Sequence, residues 1–343
     1  MKADRYLRQV LFGPIGEEGQ ARIRGARVLI VGCGALGSHS AEHLARAGVG
    51  VLRLVDRDVV EWSNLQHQPG FEEADAQKRA LKAEALAARL SRVNSDVFLE
   101  VHAQDFNPTN ALDLASGADL ILDGTDNIPS RFLLNDVSYR LQVPWIYAGA
   151  IGGSGHVQFF SGNEAPCLRC QLDELPPPGT LATCDTGGIL GPAAGVAASW
   201  QAGLALRYLA ERDTRSLSGK KALLSPWDLH ARVVRVEADK ECTVCAQGRH
   251  DVLGGEGAAG ITVLCGRRAI QVLPTRAERS SIDLDLLTSR LKGLGRIERQ
   301  ARFLRLKAEE GITMTLFEDG RAIFDGLTDT AQARSLYARY VGE

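Results

Sequence analysis

The chain has 343 residues, 45% hydrophobic and 24% charged, which suits about two globular domains with a sizeable core. Its 40 Lys and Arg against 42 Asp and Glu leave a formal net charge of -2, which excludes a broad basic field and with it nucleic acid as the main partner. Met1-Lys2-Ala3-Asp4-Arg5 leads into no apolar segment, so the expectation is a cytoplasmic protein with reduced cysteines.

Val28-Leu29-Ile30-Val31 reads as a buried parallel strand, and Gly32-Cys33-Gly34-Ala35-Leu36-Gly37 then opens a helix whose first amides can receive phosphate oxygens. Glycine lets the backbone come that close. Asp56 ends the next strand, Val51 to Val55, where a carboxylate can accept ribose hydroxyls. This half-site alone suits NAD or FAD as well as ATP. The polar run after it separates them. Asp58, Ser63, Asn64, Gln66, His67 and Gln68 gather polar groups beyond the strand's carboxyl end, where ligands of open α/β sheets bind. A triphosphate needs them, and a hydride-transfer site does not.

Composition and spacing predict one helix over 76–93, with Leu81, Ala85, Leu86 and Leu90 on a common face and Lys78, Arg79 and Lys82 near its start. Asp96 to Val101 reads as a strand. Asp119 to Asp123 is a further buried strand running into Gly124-Thr125-Asp126-Asn127. Asp126 then stands at another strand's carboxyl end, either as a Mg²⁺ ligand or as an N-cap or turn residue before a helix near 131–141. Val143 to Tyr147 resumes the sheet. Ile189 to Leu206 carries no charge, but Pro192, Ser199, Gln201 and its glycines and alanines dilute it, so it reads as a core or interface helix and not a membrane span.

Cys167-Cys170 and Cys242-Cys245 form two CxxC pairs whose four thiolates suit a closed, structural zinc site. A redox role for either pair is the alternative. Cys33 and Cys265 read as small buried apolar residues. Cys184 follows the Pro-rich loop 176–180 and precedes Asp185, a polar setting that leaves bystander and nucleophile both open. His39 and His43 read as ordinary helix residues. Beyond a glycine-rich linker at 254–260, Ile261 to Leu273 reads as a strand pair, Asp283 to Leu294 as a helix, Ile312 to Phe324 as a hairpin turning at Asp319-Gly320, and Asp329 to Tyr340 as a closing helix. The expected fold is α/β, a doubly wound Rossmann-like, mostly parallel sheet with a four-cysteine zinc site over 1–250, plus a small α+β domain over 260–343.

Arg5-Tyr6-Leu7-Arg8-Gln9, the glycine loop, Asp56, Asn64-Leu65-Gln66-His67-Gln68, Lys82, Thr125-Asp126-Asn127, both CxxC pairs and Thr183-Cys184-Asp185 together resemble the ThiF/MoeB/HesA family of adenylyltransferases, relatives of the ubiquitin-activating enzymes. The resemblance spans residues 4–247 and is greatest to ThiF-like members that prepare sulfur carriers for thiazole synthesis. It implies ATP with Mg²⁺, a structural Zn²⁺, and a small ubiquitin-like carrier whose Gly-Gly carboxylate attacks the α-phosphorus, releasing pyrophosphate and leaving an acyl-adenylate. It also implies a homodimer and a sulfur donor such as a cysteine desulfurase or rhodanese, for thiamin or molybdopterin synthesis.

Carried onto this chain, Gly34 and Ala35 would hold phosphate in a loop shaped by Gly32 and Gly37, Asp56 the ribose, and Asn64 and Lys82 the phosphate chain. Asp58, Ser63, Gln68 and Asn127 would line the site, Asp126 would hold Mg²⁺, and Arg8 would reach in from the second subunit. Cys184 falls where relatives carry a cysteine that bonds to the carrier or a sulfur donor. His67 departs from the family, which has arginine there, and one neutral donor replaces a five-donor fork. A carrier-binding scaffold without turnover and an NAD-dependent oxidoreductase are the competing readings, with a tRNA-adenylating relative a further variant. The small domain would dock the carrier, support the dimer or serve structure alone.

Overall fold

The computed structural model describes residues 5–175, 187–254, 261–264, 269–273, 282–308 and 311–341. The Pro-rich loop, Cys184 with Thr183 and Asp185, Cys265 and linker residues 255–260 lie outside them. Contacts divide the chain into Met1–Glu256 and Gly257–Glu343.

In the first unit, α1 (Leu7–Val10) and α2 (Gly16–Gly25) precede the alternation β1 (Arg27–Val31), α3 (Ala35–Ala47), β2 (Val51–Val55), α4 (Glu73–Lys78), α5 (Lys82–Val93) and β3 (Phe98–His102). Then come α6 (Ala111–Ala115), β4 (Leu120–Asp123), α7 (Ile128–Leu141), β5 (Trp145–Ile151), β6 (Ser154–Phe160), α8 (Gly191–Glu211), β7 (Lys220–Ser225) and β8 (His230–Arg235). The eight strands lie in the order β3-β2-β1-β4-β5-β6-β7-β8. The first five run parallel, and β6, β7 and β8 add an antiparallel wing that the sequence did not announce. Val28 to Val31 are buried on both faces, which is why β1 reads as an unbroken apolar run.

Alanines dominate one face of the sheet: Ala41 and Ala45 of α3 meet Ala194, Ala197, Ala198 and Ala202 of α8 in a single buried cluster. Small side chains let the two helices come close. The other face buries Phe132, Leu134 and Val137 of α7 with Trp145 and Phe160, whose rings stack at 4.9 Å. No helix among the described residues is long and apolar enough to cross a membrane, and α8 is a core helix as expected.

The single helix expected over 76–93 is two helices. Glu72 and Asp75 form a capping box at the start of α4, and Arg79 ends it in the left-handed region at φ 49°. Leu81 then bridges to Val59, and Lys82 N–H donates to the Asp58 carbonyl at 2.9 Å. These tertiary bonds outweigh the helix propensity of the stretch. They set Lys82, buried, at the head of α5.

The second unit holds a six-stranded sheet ordered β11-β12-β13-β14-β10-β9 from β9 (Ile261–Leu264), β10 (Ala269–Val272), β11 (Gly295–Gln300), β12 (Phe303–Ala308), β13 (Thr313–Phe317) and β14 (Ala322–Asp325). Ile270, Leu304, Leu306, Met314, Leu316 and Phe324 pack against Leu284 and Leu287 of α9 (Leu284–Arg290) and Ala333 of α10 (Thr330–Tyr340). Asp283 and Asp329 cap the two helices, and the hairpin turns at Asp319-Gly320 as expected. The helix predicted to reach Leu294 stops at Arg290, and Gly293, at φ 96°, turns the chain into the unforeseen hairpin β11–β12.

Candidate functional site

Three glycines build the floor of the site. A Cβ at Gly37 would stand 1.8 Å from the Gly32 carbonyl oxygen, and one at Gly124 would stand 2.2 Å from that same oxygen. The loops after β1 and β4 therefore lie back to back. Gly34 is the N-cap of α3, so the free amides of that helix's first turn open at the strand ends.

Asp56 is buried, and its two oxygens accept Cys33 N–H at 2.6 Å and Asp58 N–H at 2.7 Å. It ties the glycine loop to the 58 loop and keeps lone pairs for a ligand. Burial pushes its carboxyl above the usual range, against the pull of the Lys82 ammonium. Lys82 Nζ lies 3.8 Å from Asp58 Oδ2. Both belong to one cluster with Asp56.

Trp62–Asn64 forms a tight turn in which Asn64 Oδ1 accepts Glu61 N–H at 2.9 Å, so this side chain shapes the loop. His67 stands between two amides, its Nδ1 2.9 Å from Gln66 Nε2 and its Nε2 3.3 Å from Gln68 Nε2. Gln68 faces Gly34, with Nε2 3.6 Å from where a Cβ there would be. Its Oε1 is buried and takes no partner among the described residues. Such an orphaned acceptor beside open helix amides fits a polar ligand lying over the loop. Ser63 is exposed, and Arg8 stands exposed on α1 beside exposed Leu7, Leu11 and Phe12.

Asn127, not Asp126, caps α7: its Oδ1 accepts Ser130 N–H at 2.9 Å. The N-cap reading of Asp126 fails on this bond. Asp126 is left exposed, touched by Asn127 Nδ2 at 3.3 Å, with its carboxylate open to a cation. Beneath it lies a pair that sequence reasoning missed. Asp123, fully buried at the end of β4, meets Arg131 Nε at 3.0 Å. A charged residue closing an apolar strand was the available signal, because a buried carboxylate demands a partner.

The four cysteine sulfurs of Cys167, Cys170, Cys242 and Cys245 lie within 4.8 Å of one another. That is the donor set and spacing of one tetrahedral ion. Burial and the neighbouring thiols push Cys167 up to about 12, a cost that a bound dication would reverse. Asn135 Oδ1 accepts Leu168 N–H, and Asp136 Oδ2 accepts Val252 and Leu253 N–H, so α7 fastens the chain near both pairs. His39 and His43 are ordinary helix residues as expected, His39 half-buried and His43 exposed with its Nε2 3.2 Å from Ser199 Oγ of α8. A cavity of about 620 Å³ lined by Arg53, Glu100, His102 and Asn110 includes none of the expected site residues.

A Rossmann-like sheet whose strand ends gather a glycine cradle, a buried lysine and open carboxylates defines a nucleotide-binding α/β protein. Residues 6–244 match the ThiF family, and the chain belongs to that family. It is 37% identical to the sulfur carrier protein ThiS adenylyltransferase of Bacillus subtilis (strain 168), over 98% of this chain and 99% of the relative. It is 35% identical to the SAMP-activating enzyme E1 of Haloferax volcanii over 72% of this chain and 90% of that one. Against the adenylyltransferase and sulfurtransferase MOCS3 of Mus musculus it is 40% identical over 71% of its length, and spans 52% of the relative. The crystal structure of E. coli MccB with MccA-N7isoASN shares the fold, with TM-score 0.61 and 23% identity over 72% of this chain and 75% of that one. Family membership implies use of ATP.

Proposed function

We propose that this protein transfers AMP from ATP to the C-terminal glycine of a small ubiquitin-like sulfur carrier, releasing pyrophosphate and priming the carrier for thiocarboxylate formation. The observation that carries the reading is the likeness to a ThiS adenylyltransferase across 98% of the chain. The site chemistry agrees with it. A carboxylate attacking an anionic phosphate needs placement and charge neutralisation more than covalent help.

The backbone N–H groups of Gly34 and Ala35 hold phosphate oxygens, Gly32 and Gly37 allow the close backbone packing of that loop, and Asp56 takes the ribose. Lys82 and the amide of Asn64 neutralise and orient the phosphate chain, with Asp58, Ser63, Gln68 and Asn127 at its margins. Asp126 is the residue that would hold Mg²⁺, which adds positive charge against the triphosphate. The four cysteines would hold Zn²⁺ as a structural clamp, with no open position for chemistry. Arg8 serves the site of the second subunit in a homodimer, and Cys184 receives the activated carrier or the sulfur atom delivered by a cysteine desulfurase or rhodanese. Residues 1–250 form the adenylylating domain, and 260–343 a smaller one that docks the carrier or supports the dimer.

Thiazole synthesis for thiamin is the favoured pathway, in the cytoplasm. A ThiS-type and a MoaD-type carrier, each mixed with the protein and ATP, test this by pyrophosphate exchange and by the mass of the carrier. Exchange that depends on the ThiS-type carrier, with an adenylated C-terminus, is the expected result. His67 in place of arginine favours a second reading, a scaffold that binds a carrier without turnover. ATP binding with no exchange for either carrier would establish it.

A further inference from the structure

Asp126 sits on a loop and is exposed, yet the residue before it is fixed by buried bonds. Asp123 Oδ1 accepts both Thr125 N–H at 2.8 Å and Thr125 Oγ1–H at 2.7 Å. Asp123 Oδ2 accepts Arg131 Nε–H at 3.0 Å, and Arg131 Nη2 donates to the Thr125 carbonyl at 2.8 Å and the Ala148 carbonyl at 3.0 Å. Thr125 is thus held at its amide, its hydroxyl and its carbonyl by one ion pair. On the far side Asn127 caps α7, and behind the loop Gly124 N–H donates to the Val31 carbonyl.

Resting on the nucleotide reading above, we propose that Asp123 and Arg131 are positioning residues that set the Thr125–Asn127 loop, so that the Asp126 carboxylate stands ready for the divalent cation of the bound nucleotide. The pair is itself held from outside the loop. Gln201 Nε2 of α8 donates to the carbonyls of Asp123 and Ile146, each at 2.8 Å, and the Arg131 guanidinium lies 4.8 Å from the centre of the Tyr147 ring. Asp126 is close enough for its charge to be felt at Arg131. A buried ion pair is a costly way to stabilise a core, since apolar replacements often do as well. Its use here is geometric: three parts of one residue are fixed beside a carboxylate that nothing else buried restrains.

The test is calorimetric binding of ATP to the full chain, with and without Mg²⁺, in the wild type, Arg131→Met, Arg131→Lys and Asp123→Asn. Residues that orient a metal ligand typically change metal affinity by roughly 10–100-fold. The expected result is that Mg²⁺-free ATP affinity stays within about twofold, while the gain in affinity conferred by Mg²⁺ falls by roughly 10–100-fold in Arg131→Met and Asp123→Asn. Arg131→Lys keeps the charge without the planar fork and restores part of that gain. Thr125→Val, which removes one hydroxyl bond and leaves the ion pair, covers the case in which the pair variants fail to fold, and it shifts the Mg²⁺-dependent gain in the same sense. Equal losses with and without Mg²⁺ would mark the pair as structural only and overturn the inference, as would an unchanged Mg²⁺ gain. A wild type that binds ATP without any Mg²⁺ effect overturns the inference and leaves the nucleotide site standing. A wild type that binds no ATP overturns both.

Discussion

At His67 the chain carries an imidazole where the family resemblance implies a guanidinium, and both ring nitrogens lie against glutamine amides, those of Gln66 and Gln68. Arginine there would add a planar fork and a permanent charge. His67→Arg is therefore expected to leave pyrophosphate exchange equal or higher, and a sharp fall in that assay would give the histidine a role of its own. Cys184 lies outside the described residues, so its case rests on chemistry. Adenylation needs no thiol, and Cys184→Ser is expected to keep exchange while thiocarboxylate formation, followed by carrier mass, drops; unchanged sulfur transfer would make the cysteine a bystander. Gly124 carries a harder constraint, because a Cβ there would stand 2.2 Å from a backbone oxygen that cannot swing away. Gly124→Ala is expected to lose stability by about 1–3 kcal/mol, read from thermal unfolding, and to lose ATP binding with it.

At the scale of elements, the strands β1 and β4 were legible because burial on both faces writes itself as Val, Ile and Leu in succession, and the glycine loop because backbone packed that closely admits no side chain at Gly37. The break between α4 and α5 was not. Ala76 to Val93 is strong helix-forming sequence, and only the bridge from Leu81 to Val59 and the bond from Lys82 to Asp58 interrupt it. Both partners are distant in sequence and leave no local mark. Of the Asp123–Arg131 pair only the carboxylate showed in the sequence, as a charge closing an apolar strand; nothing local named its partner on the following helix. The wing β6–β8 escaped because β8 is an exposed edge strand, His230 to Arg235, without the alternation that a half-buried strand shows. The cysteine pairs were legible as one cluster, while their anchoring on α7 through Asn135 and Asp136 was not. That anchoring makes a prediction: one zinc per chain by metal analysis, and, on chelation, a lower melting temperature with earlier proteolysis near 240–254, because the thiols would then face one another without a cation. A melting temperature indifferent to chelators would show that packing alone holds the knuckles.

At the scale of the whole molecule, burial acts on three half-buried histidines at separate places: His39 on α3, His102 on β3 and His156 on β6. Burial lowers the pKa of each below the ordinary 6.5; His43 adds to the effect at His39, Arg53 at His102, and Lys221 with Arg131 at His156. A histidine whose pKa is lower folded than unfolded is protonated first in the unfolded chain. The unfolded state then binds more protons as pH falls through about 6.5, so stability is full above that value and declines below it. The three contributions act in one direction and at sites far enough apart in sequence to be removed singly. Thermal unfolding across about pH 7.5 to 5.5 is expected to show a melting temperature that falls steadily on the acid side, and His39→Gln, which keeps a polar side chain and removes the titration, is expected to make that slope shallower. A slope unchanged by this substitution would assign the acid sensitivity to other groups.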